Sequence, residues 1–185
     1  MKRYFILIYT IVSLILSSIL LGCERDDICP EDVSTTPRLI VEFYDLLNQE
    51  DIKNVPNLRV QGIGNTEVLS SFTGSTAINK VELPLKTDEA STQYSFIKDY
   101  AINDNGTPDD LTDDYVTGNE DIITINYTIE NVYISRACGY KTTYNAVNIQ
   151  FDVDDTDRWI ALAQPLNDNQ SIENETSTHY KFFHQ

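Results

Sequence analysis

In the segment NAVNIQFDV, residues 145–153, Val147, Ile149, Phe151 and Val153 alternate with Asn148, Gln150 and Asp152. A strict period of two gives a β-strand one apolar face and cannot give a helix one. The same period recurs along the chain. In RLIVEFYD, Leu39, Val41 and Phe43 alternate with Ile40, Glu42 and Tyr44; Leu58 and Val60 flank Arg59 ahead of Gly62; in NKVELPLKT, Val81, Leu83 and Leu85 alternate with Lys80, Glu82, Pro84 and Lys86. Pro84 has no N–H to give to a ladder, so that strand is expected to lie at a sheet edge or to end there. Further strands are expected in TQYSFIKDY (Tyr94, Phe96), DIITINYT (Ile123, Ile125, Tyr127) and NVYISRAC (Val132, Ile134), and over residues 159–162 and 178–184. About eight or nine short strands divided by Asn, Asp, Gly and Pro predict an all-β chain, an antiparallel β-sandwich of immunoglobulin-like or similar form. DLLNQEDIKN, residues 45–54, has room for one or two helical turns at most.

The amino terminus has a different chemistry. Lys2 and Arg3 precede an uncharged run over residues 5–21, after which ILLGCERDD turns abruptly acidic at Cys23. A basic start, an apolar run and a small residue at its end form the layout of a secretory signal. The run has about 17 residues, the low edge of what spans a bilayer, so a permanent span is the second reading. Leu20-Leu21-Gly22-Cys23 resembles the bacterial lipobox, in which the cysteine takes acyl chains such as palmitate and becomes the first residue after cleavage; the alternative is a buried or disulfide-bonded cysteine. Acylation holds a protein on a membrane because each buried methylene contributes about 0.8 kcal/mol. The expected organisation is a lipoprotein signal peptide over 1–22, a lipidated acidic tether over 23–37, with two prolines and no periodicity, and one β-sandwich domain over 38–185.

Lipidation of Cys23 also settles the parity of three cysteines. Cys29 and Cys138 are then left in an oxidising compartment, where a disulfide between them is expected. The chain has 29 acidic against 13 basic residues, and cleavage removes two of the bases. Such a surface repels nucleic acid and anionic lipid, which argues against a nucleic-acid partner.

The densest acidic loop, INDNGTPDDLTDD over residues 102–114, invites a comparison with calcium-binding loops. Aligning Gly106 with the glycine of the D-x-[DN]-x-[DN]-G frame puts Asn105 and Asn103 in place, but Ala101 stands at the first ligand position and Thr112 at the twelfth. Asn103, Asn105, Asp109, Asp110 and Asp113 are therefore weak calcium candidates, set against a solvated hairpin turn built on Asn105-Gly106. No other metal or cofactor is expected. Trp159, beside the acids of residues 152–157, is either a platform for a sugar ring or a core residue. His179 and His184 are five positions apart, so on one strand they face opposite sides and cannot both ligate one ion from it. G-x-S-x-G, H-E-x-x-H and phosphate-cradling glycine loops are missing from the sequence. A carboxylate pair for glycoside hydrolysis stays open, and the chain is read as a non-enzyme.

Taken together, CERDDICPED, TPRLIVEFYD, NVPNLRVQGIG, LPLKT, YSFIKDY, VYISRACGYK and ENET resemble a family of short, uncharacterised lipoproteins of Bacteroidota, classed as a domain of unknown function. The resemblance implies an exported, lipid-anchored, mostly β protein and carries no catalytic residues. Acids after the lipidated cysteine, here Glu24, Asp26 and Asp27, resemble a surface-export signal of that phylum. The expectation is a lipid-anchored outer-membrane protein, facing the periplasm or the cell surface, that acts as a binding or accessory module for an outer-membrane partner. The alternative is a sandwich that binds a glycan or calcium.

Overall fold

Where alternation meets turn residues, the chain forms strands, and the computed structural model holds nine of them among the residues it describes, which are 3–5, 9, 13, 28–30 and 36–185. They are β1 (Leu39–Asp45), β2 (Arg59–Gly62), β3 (Val68–Thr73), β4 (Lys80–Leu83), β5 (Ser91–Asn103), β6 (Tyr115–Ser135), β7 (Gly139–Phe151), β8 (Ile160–Pro165) and β9 (Tyr180–His184). Cys23, the expected signal peptide apart from five residues, and most of the expected tether lie outside the described residues. Among the described residues, no helix is long and apolar enough to cross a membrane.

The chain divides into two compact units, Met1–Val33 with Tyr133–Tyr140, and Ser34–Val132 with Lys141–Gln185. The larger unit contains the sandwich. One sheet runs β4-β1-β9-β8 and the other β3-β2-β5-β6-β7. Between them lies a single apolar cluster, to which β1 gives Leu39, Val41 and Phe43, β5 gives Tyr94 and Phe96, and β6 gives Ile123, Ile125 and Tyr127. These are the inward positions of the sequence pattern. Their burial is the main stabilising term, since each apolar side chain moved out of water contributes about 1.5–3 kcal/mol. β4 is an edge strand that ends at Leu83, immediately before Pro84.

The structure departs from the sequence reading at five points. β1 pairs with β9 in parallel; the first and last strands share no hairpin, so no tight turn forces them to run antiparallel. DIITINYT and NVYISRAC are parts of one 21-residue strand, β6, because no turn residue with the required backbone geometry separates them. β3 was not foreseen, since VLSSFT does not alternate. Val153 lies beyond the end of β7 and is 92% exposed. Residues 45–54 form no helix: the Asp45 carboxylate accepts the N–H groups of Leu47 (2.8 Å) and Asn48 (3.0 Å) and closes a turn instead.

Backbone irregularities interrupt two of the long strands. Ala146 in β7 has φ 50, and the residues on either side of this stretch, Tyr144 and Val147, three positions apart, both enter the core. On β5 the register shifts between Lys98 and Ala101, around Asp99 at φ 56. Gly118 on β6 meets that bulge at φ 123, and a Cβ there would stand 2.6 Å from the Lys98 carbonyl oxygen.

Candidate functional site

Cys29 and Cys138 are joined by a disulfide, with their Cα atoms 4.8 Å apart. Cys138 sits in the three-residue turn between β6 and β7, where its N–H donates to Ser135 Oγ at 3.0 Å. The smaller unit also carries Tyr133 and Tyr140, whose rings meet edge to face at 5.3 Å while 58% and 68% exposed. Ile28, beside Cys29, is 79% exposed.

Of the calcium candidates, Asn103 ends β5 and Asn105, Asp109, Asp110 and Asp113 fall on the loop between β5 and β6, and most of their oxygens are engaged locally. Asn105 and Gly106 both have positive φ, and the Thr107 N–H closes the turn on the Asp104 carbonyl at 2.9 Å. Asn103 Oδ1 accepts the Asn105 N–H; Asp113 accepts from Asn105 Nδ2 at 3.1 Å and from Thr107 Oγ1 at 2.8 Å; Asp110 accepts the N–H and hydroxyl of Thr112. These bonds hold the carboxyls of Asp110 and Asp113 below the usual carboxylate range. Asp109 is exposed at the loop surface. Among the described residues no three His, Cys, Asp or Glu side chains are arranged to hold a metal ion.

Trp159 is a core residue. Its ring stacks on Phe43 at 5.9 Å, its Nε1–H donates to the Phe96 carbonyl at 3.2 Å, and 8% of it is exposed, which removes it as a sugar platform. Its backbone N–H and that of Ile160 are accepted by Asp121 at 3.1 and 2.8 Å. Burial raises the Asp121 carboxyl to about 6, against the lowering effect of those two bonds. Both histidines are also buried. His179 Nδ1 accepts the Ile40 N–H at 2.9 Å and its Nε2–H donates to the Asn174 carbonyl at 2.9 Å. The His184 ring packs edge-on to Phe43 and Trp159.

A concave surface that could receive another molecule lies along the open side of the sandwich, between edge strands β3 and β4. Two adjoining concavities of about 150 and 300 Å³ lie there and share Leu69 and Pro84; a third of about 360 Å³ lies over β2, β5 and β6 and joins the second through Gly62, Ile63 and Asn65. The irregular β3 builds one wall. Arg59 pairs with Thr73 and Gln61 with Val68, so a single β2 residue is matched by four of β3, and residues 69–72 bow out of the ladder.

The opposite wall is fixed from within by tyrosines. Three consecutive carbonyls, those of Pro84, Leu85 and Lys86, accept the hydroxyls of Tyr94, Tyr144 (3.1 Å) and Tyr127 (3.0 Å) respectively. The rings fill the core while their hydroxyls satisfy a backbone stretch that has left its ladder. One end of the groove is ionic: Arg38 reaches Glu82 at 2.5 Å and grips Glu175 through Nε and Nη2 at 2.9 and 2.6 Å. The hydrogen bond to Glu175 raises the Arg38 guanidinium and lowers the Glu175 carboxyl. At the other end the Arg59 guanidinium lies 4.6 Å from the centre of the Tyr100 ring and donates to its hydroxyl, with Glu120 accepting from Ser95 nearby. Ile63, 43% exposed, lies between. An apolar centre between polar ends suits an extended peptide or loop. The sequence signals for this groove are weak: Gly62 and Gly64 around Ile63, and the broken alternation of VLSSFT.

Comparison with known proteins gives one finding: residues 57–184 match the model of a family described as "Family of unknown function (DUF6452)". No curated protein and no solved structure matches the chain.

Proposed function

The chain belongs to DUF6452, a family of unknown function, and we propose that this member is a lipid-anchored binding module of the outer membrane that works by holding a partner rather than by catalysis. One observation carries the anchoring part. With Cys29 and Cys138 bonded to each other, Cys23 is the cysteine left over, and it stands where the apolar run of residues 5–21 gives way to acid. In this reading residues 1–22 are removed, Cys23 is acylated, and the domain faces the periplasm or the cell surface. The groove between β3 and β4 then receives an outer-membrane protein partner. Support for binding over catalysis comes from the two histidines, whose rings are committed to the core and to backbone hydrogen bonds.

The decisive experiment combines two measurements on protein expressed from the full sequence in a Gram-negative host. The mass of the amino-terminal peptide should show acyl chains on Cys23, and Cys23→Ser should move the protein from the membrane to the soluble fraction. A photocrosslinking residue at Ile63 should capture a membrane protein that the same residue at Val153 does not. An unmodified Cys23 overturns the anchoring, and equal capture from both positions overturns the groove.

A further inference from the structure

Resting on the reading of Cys23 as the lipidated residue, the geometry points to a second membrane contact: the turn between β6 and β7 lies against the bilayer interface, with the rings of Tyr133 and Tyr140 among the lipid headgroups. Cys29 is six residues from Cys23, and six residues of extended chain span about 20 Å at most. The disulfide carries that restraint directly to Cys138, whose Cα is 4.8 Å from that of Cys29. Tyr140 is two residues further on, and Tyr133 touches it. An acylated Cys23 therefore keeps this turn within about 30 Å of the membrane surface by covalent bonds alone, whatever the rest of the chain does.

The chemistry of the smaller unit suits that position. Tyr133, Tyr140 and Ile28 expose 58%, 68% and 79% of their surface, and two aromatic rings packed edge to face and left in water are unusual unless something covers them. Tyrosine is favoured where its ring meets lipid and its hydroxyl meets water. Charge favours the turn itself, although Glu24, Asp26, Asp27, Glu31 and Asp32 flank Cys29 on the tether side. In a chain with 29 acidic and 13 basic residues, residues 131–151 hold no Asp or Glu and include Arg136 and Lys141, so this stretch adds no repulsion of its own at an anionic membrane.

The test uses the full lipidated protein, with its acylation verified by intact mass, reconstituted in protein-free vesicles of phosphatidylethanolamine and phosphatidylglycerol. Hydrogen exchange over residues 133–140 is compared with that of the Cys23→Ser protein in solution. The expected result is exchange slowed at least five-fold over 133–140 and unchanged over 102–114. In the Tyr133→Ser/Tyr140→Ser protein, which is equally acylated, the protection should be lost. Unchanged exchange at 133–140 in acylated, vesicle-bound protein overturns the contact while leaving the anchor standing. Protection that appears in native membranes but not in protein-free vesicles also overturns it, because a protein then covers the turn. A Cys23 without acyl chains removes the anchor and this contact together.

Discussion

Tyr144, with no exposed surface, crosses the core to donate its hydroxyl to the Leu85 carbonyl at 3.1 Å, which ties β7 of one sheet to the chain just after β4 of the other. Burial pushes the hydroxyl up to about 12, so it stays a donor at every physiological pH. Tyr144→Phe keeps the ring and leaves a buried carbonyl without its partner, which should cost about 1–3 kcal/mol. For a domain of this size that is a melting temperature lower by roughly 2–4 °C per kcal/mol, read by calorimetry. An unchanged melting temperature would show that the bond contributes nothing net.

Asp121 joins the sheets by another route, from β6 to the start of β8. Its folded carboxyl titrates at about 6 against an ordinary 3.8, so between those values the folded state holds a proton that the unfolded chain releases. Its contribution to stability therefore falls as pH rises from about 4 to about 6 and is level above. Asp121→Asn should flatten this part of the profile. Asp121→Ala, which strips the acceptor from two backbone N–H groups, should lose about 2 kcal/mol or more at every pH. Denaturant melts of the three proteins at intervals from pH 4 to 7 check both, and parallel profiles for wild type and Asp121→Asn would contradict the assignment.

His179 works in the opposite sense. Nδ1 must be bare to accept the Ile40 N–H, and burial lowers the ring below its ordinary value of 6.5, against the raising effects of the Asn174 carbonyl and Glu175. The unfolded chain then binds the proton first, so stability is lost as pH falls below about 6.5. NMR titration should find the His179 ring still neutral at a pH where an unfolded histidine is charged, and His179→Asn should lessen the loss of stability on acidification. A ring that titrates at or above 6.5 would remove the basis for this.

Much of the fold is legible because burial acts on one face at a time: Leu39, Val41 and Phe43, or Ile123, Ile125 and Tyr127, could have no other periodicity in a two-layer sandwich. The pattern is silent where backbone irregularity resets it. Ala146 shifts the parity between Tyr144 and Val147, and residues 69–72 bow away from β2, so the start of β7 and all of β3 escape a period-two reading. The groove shares that cause, since the same bulge makes its wall and hides its strand. The Cys29–Cys138 pair was legible from parity and compartment; the tyrosine hydroxyls on residues 84–86 were not, because a tyrosine in a strand looks the same whether or not its oxygen finds a carbonyl.

The disulfide closes a stretch of 109 residues that contains six of the nine strands, β1 to β6, in full, so its effect should reach beyond the turn in which it sits. In the chain-entropy account, tying ends about 100 residues apart removes freedom from the unfolded state worth about 4.7 kcal/mol, an upper figure because engineered and native bridges often return less. The Cys29→Ser/Cys138→Ser protein should therefore unfold at lower denaturant with a larger m-value, since the released unfolded chain exposes more surface. Adding reductant to the wild type should reproduce the shift and leave the double variant unmoved. Equal midpoints for oxidised wild type and double variant would show that the bridge serves only to hold the amino-terminal segment at the turn, with no part in the stability of the sandwich.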